Sequence, residues 1–138
     1  MVALLRRQWF WSVALAAYAL VIFVASSLPL GGGEDVFLFP GSDKLLHAIE
    51  FAVFLFLARL AFGRMGIALI VTAAYAASDE LHQVFVAARD ASLADFGFDL
   101  LGAAIAAVAL EVVRRSALWR RIAGRILDSP DRNRERGR

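Results

Sequence analysis

The sequence predicts an all-α membrane protein with four transmembrane helices, short loops and both termini on one side. Three observations lead there. The 138-residue chain is 60% apolar yet has a pI near 9.7, a pairing that soluble globular domains rarely show. Its apolar residues fall in four blocks with the charges between them, and its basic residues divide unequally between the two ends those blocks define. The absence of Cys excludes disulfide and thiolate chemistry. Nucleic acid is not an expected partner, because the Arg residues are confined to short flanks and a tail. The partner the composition implies is a lipid bilayer.

The blocks run from Trp9 to about Leu28, from Leu45 to Phe62, from Met65 to about Ala77, and from Phe96 to Val113. A bilayer core requires roughly 20 apolar residues as helix, within a range of about 17–25. Blocks one, two and four meet this. Block three has to borrow Ser78 to Val86, and so brings polar residues into its last turns. Arg6 and Arg7 before an apolar run also outline a signal peptide, but the run exceeds the roughly 7–15 residues of a signal core. Trp9, Phe10 and Trp11 at its start fit an interfacial aromatic belt, so a retained helix is expected.

Thirteen of the fifteen Lys and Arg residues lie at one end: Arg6, Arg7, Arg59, Arg64 and the nine that follow block four. Only Lys44 and Arg89 lie at the other. The positive-inside rule then makes both termini and the 59–64 turn cytoplasmic, and segments 29–44 and 86–95 extracytoplasmic. The acids show the reverse bias. Glu34, Asp35, Asp43, Glu50, Asp79, Glu80, Asp90, Asp95 and Asp99 belong to the outer half, with His47 and His82.

On the second helix, Asp43, His47 and Glu50 follow i, i+4, i+7 spacing and form one stripe, with Glu50 roughly 10 Å deeper than Asp43. On the third, Tyr75, Asp79, His82 and Gln83 share a face with Glu80 beside it. On the fourth, Asp95, Asp99, Gly102 and Ala106 make a stripe that is polar outside and small further in. Ionised groups in hydrocarbon cost at least a few kcal/mol on insertion scales, so they turn inward, pair or line a wet cavity. An outward-opening polar pocket between helices two, three and four is therefore expected, with helix one a mostly apolar partner. Lys44 and Arg89 are the cations available to it. Gly102 and Ala106 suit close helix packing.

Simpler roles stand beside this. Ser42 and Asp43 can cap helix two after the Pro40-Gly41 turn. Ser92 and Asp95 have the spacing of a capping box. Glu34, Asp35 and Asp90 read as solvated loop charges. Capping does not account for His47, Glu50, Asp79, His82, Gln83 or Asp99.

These residues also carry a resemblance. Asp43-Lys44-Leu45-Leu46-His47 followed by Glu50-Phe51 resembles the DKxxHxxxF motif of the VanZ-like family. Ser78-Asp79-Glu80-Leu81-His82-Gln83, with Phe85, Arg89, Asp95 and Asp99, resembles its second signature, and Ser26-Ser27-Leu28-Pro29 its exit from helix one. The resemblance runs from about Trp9 to Ala109. It implies a multi-pass protein of the bacterial cytoplasmic (inner) membrane, in a family whose namesake is associated with resistance to the glycopeptide teicoplanin. Residues 1–116 would be the VanZ-like four-helix domain and 117–138 a basic cytoplasmic tail, partly disordered. In that tail, Leu118, Trp119, Ile122, Ala123, Ile126 and Leu127 alternate with Arg as an amphipathic surface helix does.

The residue types leave several chemistries open. Asp43, Lys44, His47, Glu50, Asp79, Glu80, His82, Gln83, Arg89, Asp95 and Asp99 are the candidate ligand-binding residues. His47, Glu50, Asp79, Glu80 and His82 are candidates for acid–base work on a lipid-linked or phospholipid substrate. His47, His82, Asp79 and Asp99 could hold a divalent metal, although no HExxH pattern is present. Lys44 and Arg89 suit a phosphate or carboxylate head group. A non-enzymatic protein that binds an envelope precursor or a glycopeptide is the leading reading. A proton path is disfavoured, because the inner halves of the helices carry Ala, Leu, Val and Phe.

Overall fold

The computed structural model describes residues 2–28, 42–87, 89, 91–116, 120, 121 and 123. Four helices account for nearly all of these: α1 (Val2–Ser27), α2 (Ser42–Phe62), α3 (Met65–Gln83) and α4 (Leu93–Arg115). Among the described residues there is no strand. Each apolar block is a helix, and α1 begins well before Trp9. Residues Met1–Ala107 form one compact unit and Val108–Arg138 a second.

Helices α1, α2 and α4 are long and apolar enough to cross a membrane. At about 1.5 Å per residue, the 21 residues of α2 extend about 32 Å, matching a hydrocarbon core of about 30 Å. Helix α3 has 19 residues and is not such a span by composition, since Asp79, Glu80, His82 and Gln83 fill its last turns. Outward surfaces are apolar as well: Trp9, Leu20, Val24, Ile70 and Ile105 are all more than half exposed. Water would not tolerate so continuous a surface on a monomer, whereas lipid would.

Residues spaced for a helix face make the core of the first unit. Phe51, Phe54, Leu55, Ala58 and Ala61 of α2 are buried against Ala68, Thr72 and Ala76 of α3 and Leu15 and Ile22 of α1. Small residues at i, i+4 and i+8 on α3 let the backbones approach, as membrane helices need when apolar burial alone gives no preference over lipid. Tyr75 stacks on Phe54 with centroids 4.7 Å apart and donates its hydroxyl to the Ala19 carbonyl at 2.5 Å, tying α3 to both neighbours. Tyr18 donates to the Glu50 carbonyl at 3.3 Å, tying α1 to α2.

Gly63 closes α2. Its φ of +70° lies in the left-handed region, and its N–H reaches the Arg59 carbonyl at 3.0 Å, so the chain reverses at once into α3. Helix α4 meets α2 where Gly102 lies against Ala48: a Cβ at Gly102 would overlap the Ala48 carbonyl. Gly102 thus has the close-packing role expected of it. In the second unit, Glu111 binds Arg114 and Arg115 at 2.6–2.8 Å along the helix surface. The loop acids Glu34, Asp35 and Asp90, and most of the amphipathic tail, lie outside the described residues.

Candidate functional site

The polar residues collect at one end of the first unit, where α1 and α3 finish and α2 and α4 begin. They fall into two sets, because Asp79 and Glu80 are consecutive and so point about 100° apart on α3. Asp79 and His82 turn to α1. Glu80 turns to α4.

The α1 set is closed. Ser26 Oγ donates to Asp79 Oδ1 at 2.6 Å and Gln83 Nε2 donates to Asp79 Oδ2 at 2.9 Å, so both oxygens of this buried carboxylate are satisfied. Ser27 gives its one hydroxyl hydrogen to the Phe23 carbonyl at 2.6 Å, so it must accept from His82 Nε2, 2.9 Å away. The His82 ring stacks on Phe23 with centroids 4.5 Å apart. Arg89 reaches the Ala25 and Leu28 carbonyls at 3.1 and 3.2 Å at the end of α1, joining the Leu28 N–H on the Ala25 oxygen. Helix α1 is therefore not merely an apolar partner. Its Ser26, Ser27 and terminal carbonyls take up Asp79, His82 and Arg89, and Arg89 is a clasp on α1 rather than a pocket cation.

The second set is open. His47 Nδ1 lies 2.9 Å from Asp99 Oδ1, joining α2 to α4, and Asp99 is completely buried. Glu80 is only 9% exposed, and its Oε2 accepts the backbone N–H of Ser92 at 2.8 Å. Asp99 Oδ2 and Glu80 Oε1 are buried and have no hydrogen-bond partner. Such oxygens are uncommon in native folds and call for a specific explanation. One ligand-capable atom each of His47, Glu80 and Asp99 lies within 4.8 Å of the other two.

Around this centre the charges are partly settled. Lys44 binds Asp43 at 3.0 Å and approaches Asp95 at 3.7 Å, offsetting the carboxylates as expected. Glu50 is half-buried between the sets, within charge–charge range of His47, Asp79, Asp99 and Arg89. Ser92 Oγ caps α4 by accepting the Asp95 N–H at 3.3 Å, which is half of the expected capping box. The other half differs, because the Ser92 N–H goes to Glu80 and frees the Asp95 side chain for Lys44. Ser42 does not cap α2 through its side chain, since its Oγ is buried without a partner, and Asp43 is drawn to Lys44. Ser78 donates to the Tyr75 carbonyl at 2.8 Å on an exposed helix face.

A cavity of about 370 Å³ adjoins the open set. Glu80 and Ser92 form its polar side, and Ala77, Ala91, Leu93 and Phe96 its apolar side. The size falls in the usual range for a small-molecule site.

Of the metal candidates, the structure brings together His47 and Asp99, with Glu80 as their companion, and sends His82 and Asp79 elsewhere. Ser26 and Ser27 were missed as site-shaping groups. Two hydroxyls ending an otherwise apolar helix, level with intramembrane acids, were the available signal.

A family model described as VanZ/LLP1 matches residues 3–114. No curated protein and no solved structure matches the chain. The matched stretch takes in all four helices but for the end residues Val2 and Arg115, with every polar group of both sets, and on that ground the chain belongs to the VanZ-like family.

Proposed function

We propose that this VanZ-like membrane protein binds the polar part of a cell-envelope component at the His47–Glu80–Asp99 centre and alters its access to the cell surface. The ligand class is a lipid-linked envelope precursor or a glycopeptide of the teicoplanin kind. All four helices cross the bacterial cytoplasmic membrane in this reading, α3 with its polar turns against protein rather than lipid. Both termini are cytoplasmic, and the centre faces outward. The division of basic residues supports the orientation.

One observation carries the binding role. Two buried carboxylates keep unpaired oxygens and one of them, Glu80, lines an amphipathic cavity, while the neighbouring Asp79 is fully satisfied. A fold that can saturate one buried acid has the means to saturate others, and unsatisfied ones are retained for a ligand. The test is expression in a Gram-positive host that lacks the gene, with teicoplanin susceptibility and surface-bound fluorescent glycopeptide as readouts. A change in either that disappears with Asp99→Asn supports the reading. No change in either readout on expression removes the glycopeptide version.

A second reading is an enzyme acting on a lipid-linked or phospholipid substrate. The His47–Asp99 pair favours it, because a buried carboxylate on Nδ1 leaves Nε2 available as a general base. Purified protein that turns over no such substrate, with or without divalent metals, counts against it.

A further inference from the structure

The open set places two buried carboxylates against one imidazole, so His47, which pairs with Asp99, can offset at most one of them. Glu80 and Asp99 approach one another closely enough to share a ligand with His47, and both are at least nine-tenths buried. The nearby cations are committed: Lys44 to Asp43 and Asp95, and Arg89 to the carbonyls of α1. Neither Glu80 nor Asp99 forms an ion pair with Lys or Arg among the described residues. Two ionised carboxylates at this depth require a compensating charge. The unpartnered Glu80 Oε1 and Asp99 Oδ2 are lone pairs without a donor, and a cation would use them.

We propose that His47, Glu80 and Asp99 form a divalent-cation site. An imidazole with two carboxylates suits zinc or manganese better than the softer-ligand metals or an all-oxygen calcium cage. Three protein ligands from three helices leave a coordination position open, as catalytic and ligand-binding zinc sites do and purely structural ones do not. A neighbouring backbone group acts as a support. The Ser92 N–H fixes Glu80 through Oε2 while leaving Oε1 free. Since Glu80 also lines the cavity, an oxygen ligand entering there would arrive beside the metal. Asp79 and His82 are not ligands, because each is already engaged with α1. Cation binding does not depend on the identity of any envelope ligand, so either property can fail without the other.

The full-length protein, purified in mild detergent and stripped with chelator, is titrated with Zn²⁺, Mn²⁺ and Mg²⁺ alone. Binding is followed by calorimetry, and thermal unfolding is recorded at each end point. The expected result is one Zn²⁺ or Mn²⁺ per chain, at least tenfold tighter than Mg²⁺, with a rise in unfolding temperature. Glu80→Gln and Asp99→Asn weaken that binding at least tenfold and abolish the rise, whereas Glu111→Gln, a surface acid on α4, leaves both unchanged. If Asp99→Asn does not fold, Glu80→Gln carries the test, because its amide oxygen still accepts the Ser92 N–H. No saturable binding to the wild type overturns the proposal. Equal binding by wild type and Glu80→Gln also overturns it, by showing that the cation sits elsewhere.

Discussion

Glu80 Oε2 accepts the backbone N–H of Ser92 at 2.8 Å, so a carboxylate from the end of α3 completes the N-terminus of α4. In a reciprocal capping box that N–H would go to the residue three positions on, here Asp95. The substitution of partners releases Asp95 to Lys44 and holds Glu80 against Asp99 and His47. Removing the acceptor should therefore separate folding from binding. Glu80→Ala leaves a part-buried N–H without its acceptor and should cost about 1 kcal/mol. Glu80→Gln keeps an acceptor and should unfold near the wild-type temperature, yet lose cation affinity. Thermal unfolding in detergent, with and without Zn²⁺, distinguishes the two.

The α2–α4 contact gives a second prediction. Gly102→Ala places a methyl group against the Ala48 carbonyl and should destabilise by about 1–3 kcal/mol, or more if the backbone cannot shift. Gly97→Ala on the same helix meets nothing within 4 Å. Helix propensity should make it neutral or stabilising by up to about 1 kcal/mol. Equal effects at the two positions, read by chemical or thermal unfolding, would contradict the close packing.

The closed set predicts a structural phenotype. Ser26→Ala removes the donor from Asp79 Oδ1 and strands half of a buried carboxylate, at a cost of about 1.5–3 kcal/mol for a hydrogen bond to a charged group. Asp79→Ala also leaves Gln83 without its partner. Both should lower folded yield in membranes and unfolding temperature, and the double variant should be less than additive because the two residues share one bond.

Orientation is testable without removing native thiols, since the chain has no Cys. Ala91→Cys, exposed just before α4, should react with a membrane-impermeant thiol reagent in intact cells. Arg64→Cys, exposed at the α2–α3 turn, should react only after permeabilisation. The reverse pattern would invert the topology.

How much of this was legible beforehand depends on the range of the interaction. The four helices could be read because length and apolarity are local properties, and the weak point foreseen at the end of block three is where α3 falls short as a span. The level of the polar groups was legible from spacing along each helix. Their partners were not, because one helix wheel does not say which neighbour each face meets. Asp79 and Glu80 differ by one residue and serve different helices. Arg89 read as a free cation because the terminal carbonyls of α1 that it binds carry no mark in the side-chain sequence. The Glu80–Ser92 bond was hidden for the same reason, since its donor is a backbone N–H.

The central claim is that the His47–Glu80–Asp99 centre binds an envelope ligand. It is tested most directly by titrating the protein in lipid nanodiscs with a fluorescent lipid-linked peptidoglycan precursor and, separately, with labelled teicoplanin. The account predicts saturable binding of at least one of them to the wild type and to Glu111→Gln. It further predicts that Glu80→Gln and Asp99→Asn, verified as folded, weaken that binding at least tenfold. Absence of binding for both probes, or equal binding by all four proteins, would contradict it.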